Sequence, residues 1–186
     1  MGFLAGLFGI GGGAILVPVL YEAFRLAGVE PALIMHMCLG TSLAVMAPTS
    51  YTSFRSHLAK GTVDTALLKR IGPWIVAGVV LGALIARYSH ARTLMGIWAF
   101  AGFLIAGKMG LGRDDWRLGD DIPKNPLVEL YALALGMLSA LMSVGGSAFL
   151  ITLMTLYGRP LLQSLSTGAG VGPLIAIPGT LGFMWA

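Results

Sequence analysis

Charge is what this sequence lacks. Asp, Glu, Lys and Arg make up 11% of its 186 residues, against about 25% in an average soluble domain. A domain of this size keeps too much surface in water to hide a chain with a mean hydropathy of +0.84, so a water-soluble globule is excluded and lipid is the remaining solvent. Cysteine is nearly absent too. Cys38 stands alone, which rules out an intrachain disulfide, offers no metal-ligand spacing and leaves it an apolar filler. There is no Ser-His-Asp set, no buried carboxylate pair and no His or Cys cluster, so neither an enzyme nor a cofactor is indicated. The net charge of +4 and the pI near 9.5 do not point to nucleic acid either, because the twelve Lys and Arg fall in short connecting segments rather than in one patch.

What is present is apolar sequence in long pieces. Residues Met1 to Tyr21, Pro31 to Phe54, Ile71 to Ala86, Thr93 to Gly107, Leu130 to Gly158 and Pro160 to Ala186 contain no Asp, Glu, Lys or Arg. A helical crossing needs about 20 such residues, and the two shorter runs are extended by Arg87 and Lys108, whose long side chains snorkel to the headgroups. The chain is therefore expected to be an all-α, polytopic integral membrane protein with about six transmembrane segments. No signal peptide is separable from the first run, so insertion rather than secretion is expected.

Orientation follows from Lys and Arg near the span ends. The loops carry in turn Arg25; Arg55, Lys60, Lys69 and Arg70; Arg87 and Arg92; Lys108, Arg113, Arg117 and Lys124; and Arg159. The second and fourth are the richer, and are expected to face the cytoplasm of a bacterial inner membrane. If every run crosses once, Ala186 lies there as well; a re-entrant first segment changes that parity.

The hydrated stretch Gly112 to Pro126, GRDDWRLGDDIPKNP, reads as a linker. Its paired acids fit no calcium loop, and Arg117 opposes a cation there. It divides the chain into a first membrane unit, 1–111, and a second, 127–186, expected to be incomplete.

The two units echo each other. AGLFGIGGGAILVPVL from Ala5 overlays SALMSVGGSAFLITLM from Ser139, matching Gly11, Gly12, Ala14 and Leu16 with Gly145, Gly146, Ala148 and Leu150 at an offset of 134. GTSLAVMAPTS from Gly40 overlays GVGPLIAIPGT from Gly170, with Pro48 on Pro178, at an offset of 130. Repeated units with glycine-broken helices are a habit of secondary transporters, and the breaks mark the binding site. Gly11, Gly12 and Gly13 can leave helical geometry cheaply and turn backbone N–H groups toward an anion, helped by the dipole of the helix that follows. The competing reading is close helix packing through small residues such as Gly2, Gly6 and Gly9. A dinucleotide fingerprint, G-x-G-x-x-A at Gly9, Gly11 and Ala14, fails for want of a preceding strand.

The run GIGGGAILVPVL, Gly9 to Leu20, its degraded echo in the second unit and the polar triplet Gly40, Thr41 and Ser42 resemble the sulfite exporter TauE/SafE family of membrane permeases. The resemblance implies a permease, generally an exporter, of small sulfur-containing anions such as sulfite or organosulfonates, with other small organic anions as an alternative. Ser143, Ser147 and Thr152 stand where the first repeat has Gly9, Gly13 and Pro18, so an asymmetric site is expected.

Polar residues at bilayer depth complete the candidates, because each needs a partner. Thr41 and Ser42 either donate to an oxyanion or bond back to their own helix, and His36 is either a proton shuttle or an interfacial residue. Glu22 and Arg25 read as a surface pair. The expected substrate-binding set is Gly11, Gly12, Gly13, Thr41, Ser42, Gly145, Gly146 and Ser147, with no metal. The expected partners are a small anion and the bilayer, with a proton or sodium as possible coupling ions. A non-transporting membrane scaffold or assembly subunit is the alternative function, and substrate flux discriminates the two.

Overall fold

The computed structural model describes residues 12–111, 119, 122–123, 126–143 and 145–185. The elements there are all helices: α1 (Gly12–Leu26), α2 (Pro31–Ala59), α3 (Thr65–Tyr88), α4 (Ala91–Leu111), α5 (Pro126–Met142), α6 (Ser147–Leu156) and α7 (Leu161–Trp185). Among the described residues, α2, α3 and α7 are each long and apolar enough to cross a membrane, while α5 and α6 are shorter apolar helices. The local reasons are ordinary. Pro31 opens α2 where its missing N–H costs nothing, and the Asp64 carboxylate caps α3 by accepting from the Leu67 amide at 3.0 Å. Gly11 and most of the linker 112–126 lie outside the described residues.

The fifth apolar run does not cross once. Were α6 a continuation of α5, Phe149 would lie about 27 Å beyond Tyr131 at 1.5 Å per residue, yet the Tyr131 hydroxyl donates to the Phe149 carbonyl at 2.9 Å. The chain turns back at 143–146, and Tyr157 just past α6 packs on Gly119 of the linker. Arg159 therefore lies at the linker end of the bundle. The single crossing that would have put it at the other end, with Ala186 returning, is corrected. Lys and Arg counts saw the loops but not the reversal, because the turn itself carries no charge.

Helix directions follow from which residues meet. Along α2 and α7, Gly40 faces Phe183, Leu43 faces Gly179, Ser50 faces Gly172 and Phe54 faces Gly170, so numbers rise along one helix as they fall along the other and the pair is antiparallel. Each pair sums to 222–224, which sets Met46 opposite Ala176. Those two are related by the repeat offset of 130, so a local two-fold axis runs between them and the repeats are inverted relative to each other. Reciprocity supports this: Gly40 of the first repeat receives Phe183 of the second, while its counterpart Gly170 receives Phe54 of the first.

Close approach holds α3 to α5. A Cβ at Gly78 would overlap the Leu133 carbonyl, one at Gly136 the Ile75 carbonyl, and one at Gly82 would stand 2.8 Å from the Met137 carbonyl. In lipid, helices gain little from apolar burial, so such backbone contact carries the association. One apolar cluster joins Ile71, Ile75 and Val79 of α3 to Leu135 of α5 and Val171 and Ile175 of α7. A second gathers Val17, Ile34, Cys38, Leu39 and Leu94.

Polar contacts pin the two ends of α7. At the linker end, the Thr62 hydroxyl donates to Ser166 at 2.8 Å, Ser166 lies 3.1 Å from His57 Nδ1, and the Asp64 amide donates to Thr167 at 2.9 Å. Arg70 and Glu129 pair nearby at 3.5 Å. At the other end, the Arg87 guanidinium lies over the Trp185 ring at 4.8 Å and donates to its carbonyl at 3.5 Å. His36 Nε2 donates to the Ala86 carbonyl at 2.9 Å, and Glu22 and Arg25 form the surface pair at 2.8 Å.

Candidate functional site

The break between α5 and α6 is built from a strained serine and a permissive glycine. Ser143 has φ 53° and Gly146 φ 62°, both in the left-handed region. Only glycine enters that region without penalty, so Ser143 holds its conformation because its surroundings impose it. Two of those surroundings are visible. Its hydroxyl donates to the Leu39 carbonyl of α2 at 3.2 Å, and its carbonyl lies against Gly13 so closely that a Cβ there would overlap it. The glycine-rich start of the first repeat and the broken helix of the second are thus in direct contact.

Met46 of α2 completes the junction. A Cβ on Gly145 would stand 3.1 Å from its sulfur, and a Cβ on Gly13 would stand 3.4 Å from its methyl group. Leu39, Ser42 and Met46 share one helical stripe by their spacing of three and four, so Ser42 sits between the residue that receives Ser143 and the residue that receives both glycines. Ser42 is fully buried, and its hydroxyl has no partner among the described residues. That differs from Thr49, Ser50 and Thr52 further along α2, which donate to carbonyls of their own helix. Thr41 is placed otherwise: half-buried, on the stripe of exposed Met37, Val45 and Pro48, it flanks the junction rather than entering it.

Gly146 caps the N-terminus of α6 without a side-chain hydrogen bond. The Ser147 amide turns back to the Gly145 carbonyl at 2.7 Å, and the Ser147 side chain packs toward Gly168 of α7. The amides of Ala148 and Phe149, in the first turn, have no carbonyl four residues back within the helix. Of the expected set, Gly13, Ser42, Gly145, Gly146 and Ser147 converge, Gly12 is the first described residue of α1, and Gly11 lies outside the described residues. Sequence reasoning missed Met46, Ser143 as a contact rather than a degraded glycine, and Ser139. The Ser139 hydroxyl lies 2.9 Å from where a Cβ of Gly146 would be. The one available signal for Ser139 was a hydroxyl at the head of the second repeat.

Every residue of the junction comes from a charge-free run, so its electrostatics are set by hydroxyls, amides and the α6 dipole. Among the described residues no group of three His, Cys, Asp or Glu gathers.

Comparison with known proteins adds the wider context. The family described as Sulfite exporter TauE/SafE matches residues 1–186. A probable membrane transporter protein of Haemophilus influenzae is 30% identical over 188 residues, covering 98% of this chain and 69% of that protein. One from Methanocaldococcus jannaschii is 26% identical over 189 residues, covering 100% of the chain and 69% of its own length. The YdhB probable membrane transporter protein of Bacillus subtilis is 24% identical over 190 residues, covering 99% and 75%. No solved structure matches significantly.

Proposed function

Because the chain belongs to the sulfite exporter TauE/SafE family of membrane transporters, we propose that it exports small sulfur-containing anions, sulfite or organosulfonates, across a bacterial inner membrane. The contact between Gly13 and the Ser143 carbonyl carries the reading. It brings the two repeats' glycine-rich segments to one place, and paired broken segments of inverted repeats are where transporters of this architecture hold their cargo. The anion sits at that junction, bound by backbone amides at Gly11, Gly12, Gly13, Gly145 and Gly146 and by the Ser42 hydroxyl, with Ser147 beside it and Thr41 at its rim. The units are 1–111 and 127–186, with the linker 112–126 in the cytoplasm.

Neutral donors suit a carrier, since a buried Lys or Arg would bring its own desolvation cost and hold the anion too firmly to release it. A transporter rather than an enzyme also fits the names of the relatives. The test is accumulation of labelled sulfite or sulfonate in cells at matched expression. Gly12→Val should abolish efflux by blocking backbone approach, and Thr41→Val should weaken it by roughly 0.5–1.5 kcal/mol, one donor's worth. Unchanged efflux from a well-inserted Gly12→Val protein refutes anion binding by these amides.

A further inference from the structure

Two interior hydroxyls are left without partners. Ser42 and Ser139 are each 0% exposed, and neither Oγ has a hydrogen-bond partner among the described residues. Leaving a buried hydroxyl unpaired is costly. The usual remedy in an apolar helix is a bond back to the preceding turn, and Thr49, Thr52, Thr155 and Thr180 all take it. Ser42 and Ser139 forgo it.

Both border the same break. Ser42 lies on the α2 stripe between Leu39 and Met46, which meet Ser143 and Gly145. Ser139 lies on α5 one turn before Ser143, with its Oγ against Gly146, the N-cap of the ten-residue α6. The first-turn amides of α6 have no partner within the helix. Unpaired hydroxyls and amides at the positive end of a dipole form an acceptor-seeking set, which an oxyanion satisfies. No Lys or Arg is available from the charge-free runs that surround it.

We infer that Ser139, together with Ser42, supplies the hydroxyl donors of an oxyanion subsite at the start of α6, and that this subsite takes singly charged oxyanions in preference to doubly charged ones. The inference rests on the transport reading above and adds to it a donor on α5 and a rule for charge. The rule is physical. The cost of removing an ion from water grows with the square of its charge, whereas the stabilisation from fixed dipoles grows linearly. Without a buried cation, a sulfonate or hydrogensulfite is held and a dianion is not.

The experiment measures thermal unfolding of the purified chain in detergent against methanesulfonate and against sulfate at equal ionic strength, with labelled methanesulfonate flux in proteoliposomes. The wild-type chain shows a saturable rise in Tm with methanesulfonate and none with sulfate. Ser139→Ala weakens the methanesulfonate response about 10-fold or more. Its ligand-free Tm is equal to or above wild type, because the lost hydroxyl had no partner. Ser139→Cys, similar in size and a weak donor, falls between. An unchanged methanesulfonate response in Ser139→Ala, a lowered ligand-free Tm in that variant, or an equal response to sulfate overturns the inference while wild-type flux leaves the transport reading standing. A wild-type chain with neither response nor flux overturns both.

Discussion

Replacing Gly13 with alanine tests the contact between repeats. The added methyl group would occupy the space of the Ser143 carbonyl, and that atom cannot swing aside as a side-chain tip would. It belongs to a residue already held at φ 53° and tied through its hydroxyl to Leu39. Overpacking of this kind costs typically 1–3 kcal/mol, and the upper end applies because backbone must move. Against it stands the roughly 1 kcal/mol that alanine gains over glycine inside a helix, leaving a net loss of about 2 kcal/mol by difference. Gly96 of α4 is the internal control: a Cβ there meets nothing within 4 Å, so Gly96→Ala should stabilise by about 0.5–1 kcal/mol. Unfolding of both variants in the same detergent gives the comparison, and opposite signs are expected. A Gly13→Ala chain as stable as Gly96→Ala would mean that the repeats do not touch at Gly13.

Three further outcomes follow from the geometry. With Cys38 replaced by alanine, cysteines at Met46 and Gly145 should cross-link under mild oxidation, as a Cβ on Gly145 would stand 3.1 Å from the Met46 sulfur; two free thiols after oxidation would separate α2 from the break. Cysteines at Gly119 and Tyr157 should both be labelled from the cytoplasmic side of the membrane and one at Trp185 from the opposite side, whereas Tyr157 labelled from the side opposite Gly119, with Trp185 labelled from the side of Gly119, would restore a single crossing. Tyr131→Phe should cost roughly 0.5–1.5 kcal/mol through the lost bond to Phe149, measured as a lower unfolding midpoint, and an unchanged midpoint would deny the hairpin its tie.

How much of this the sequence disclosed depends on the kind of signal. Absence of charge along Pro31 to Phe54 and Pro160 to Ala186 is a property of composition, so the membrane helices α2 and α7 were legible with no knowledge of contacts. The repeat was legible because Gly40 with Gly170 and Pro48 with Pro178 keep their order and spacing. Its inversion was not, since antiparallel packing is a relation between helices that a linear offset does not encode. The α5–α6 reversal escaped for a related reason: Gly145 and Gly146 signal a break, but a break kinks or reverses depending on what packs afterwards, and the Tyr131–Phe149 bond and the Tyr157–Gly119 contact decide. Ser42 was legible as a polar residue at depth. That it lacks a partner is a three-dimensional fact.

The pairing of α2 with α7 also sets a schedule for biosynthesis. Phe54 and the glycine that receives it are 116 residues apart in the chain. At about 5–20 residues per second of synthesis, roughly 6–23 s pass between the emergence of the two. During that interval α2 must wait in the insertion machinery or the bilayer with Gly40 unfilled and His57 without its Ser166 partner. A membrane-quality protease that samples unpaired polar residues meets its best opportunity then, so substitutions that slow the arrival of α7 should reduce abundance even where they leave the finished bundle unchanged.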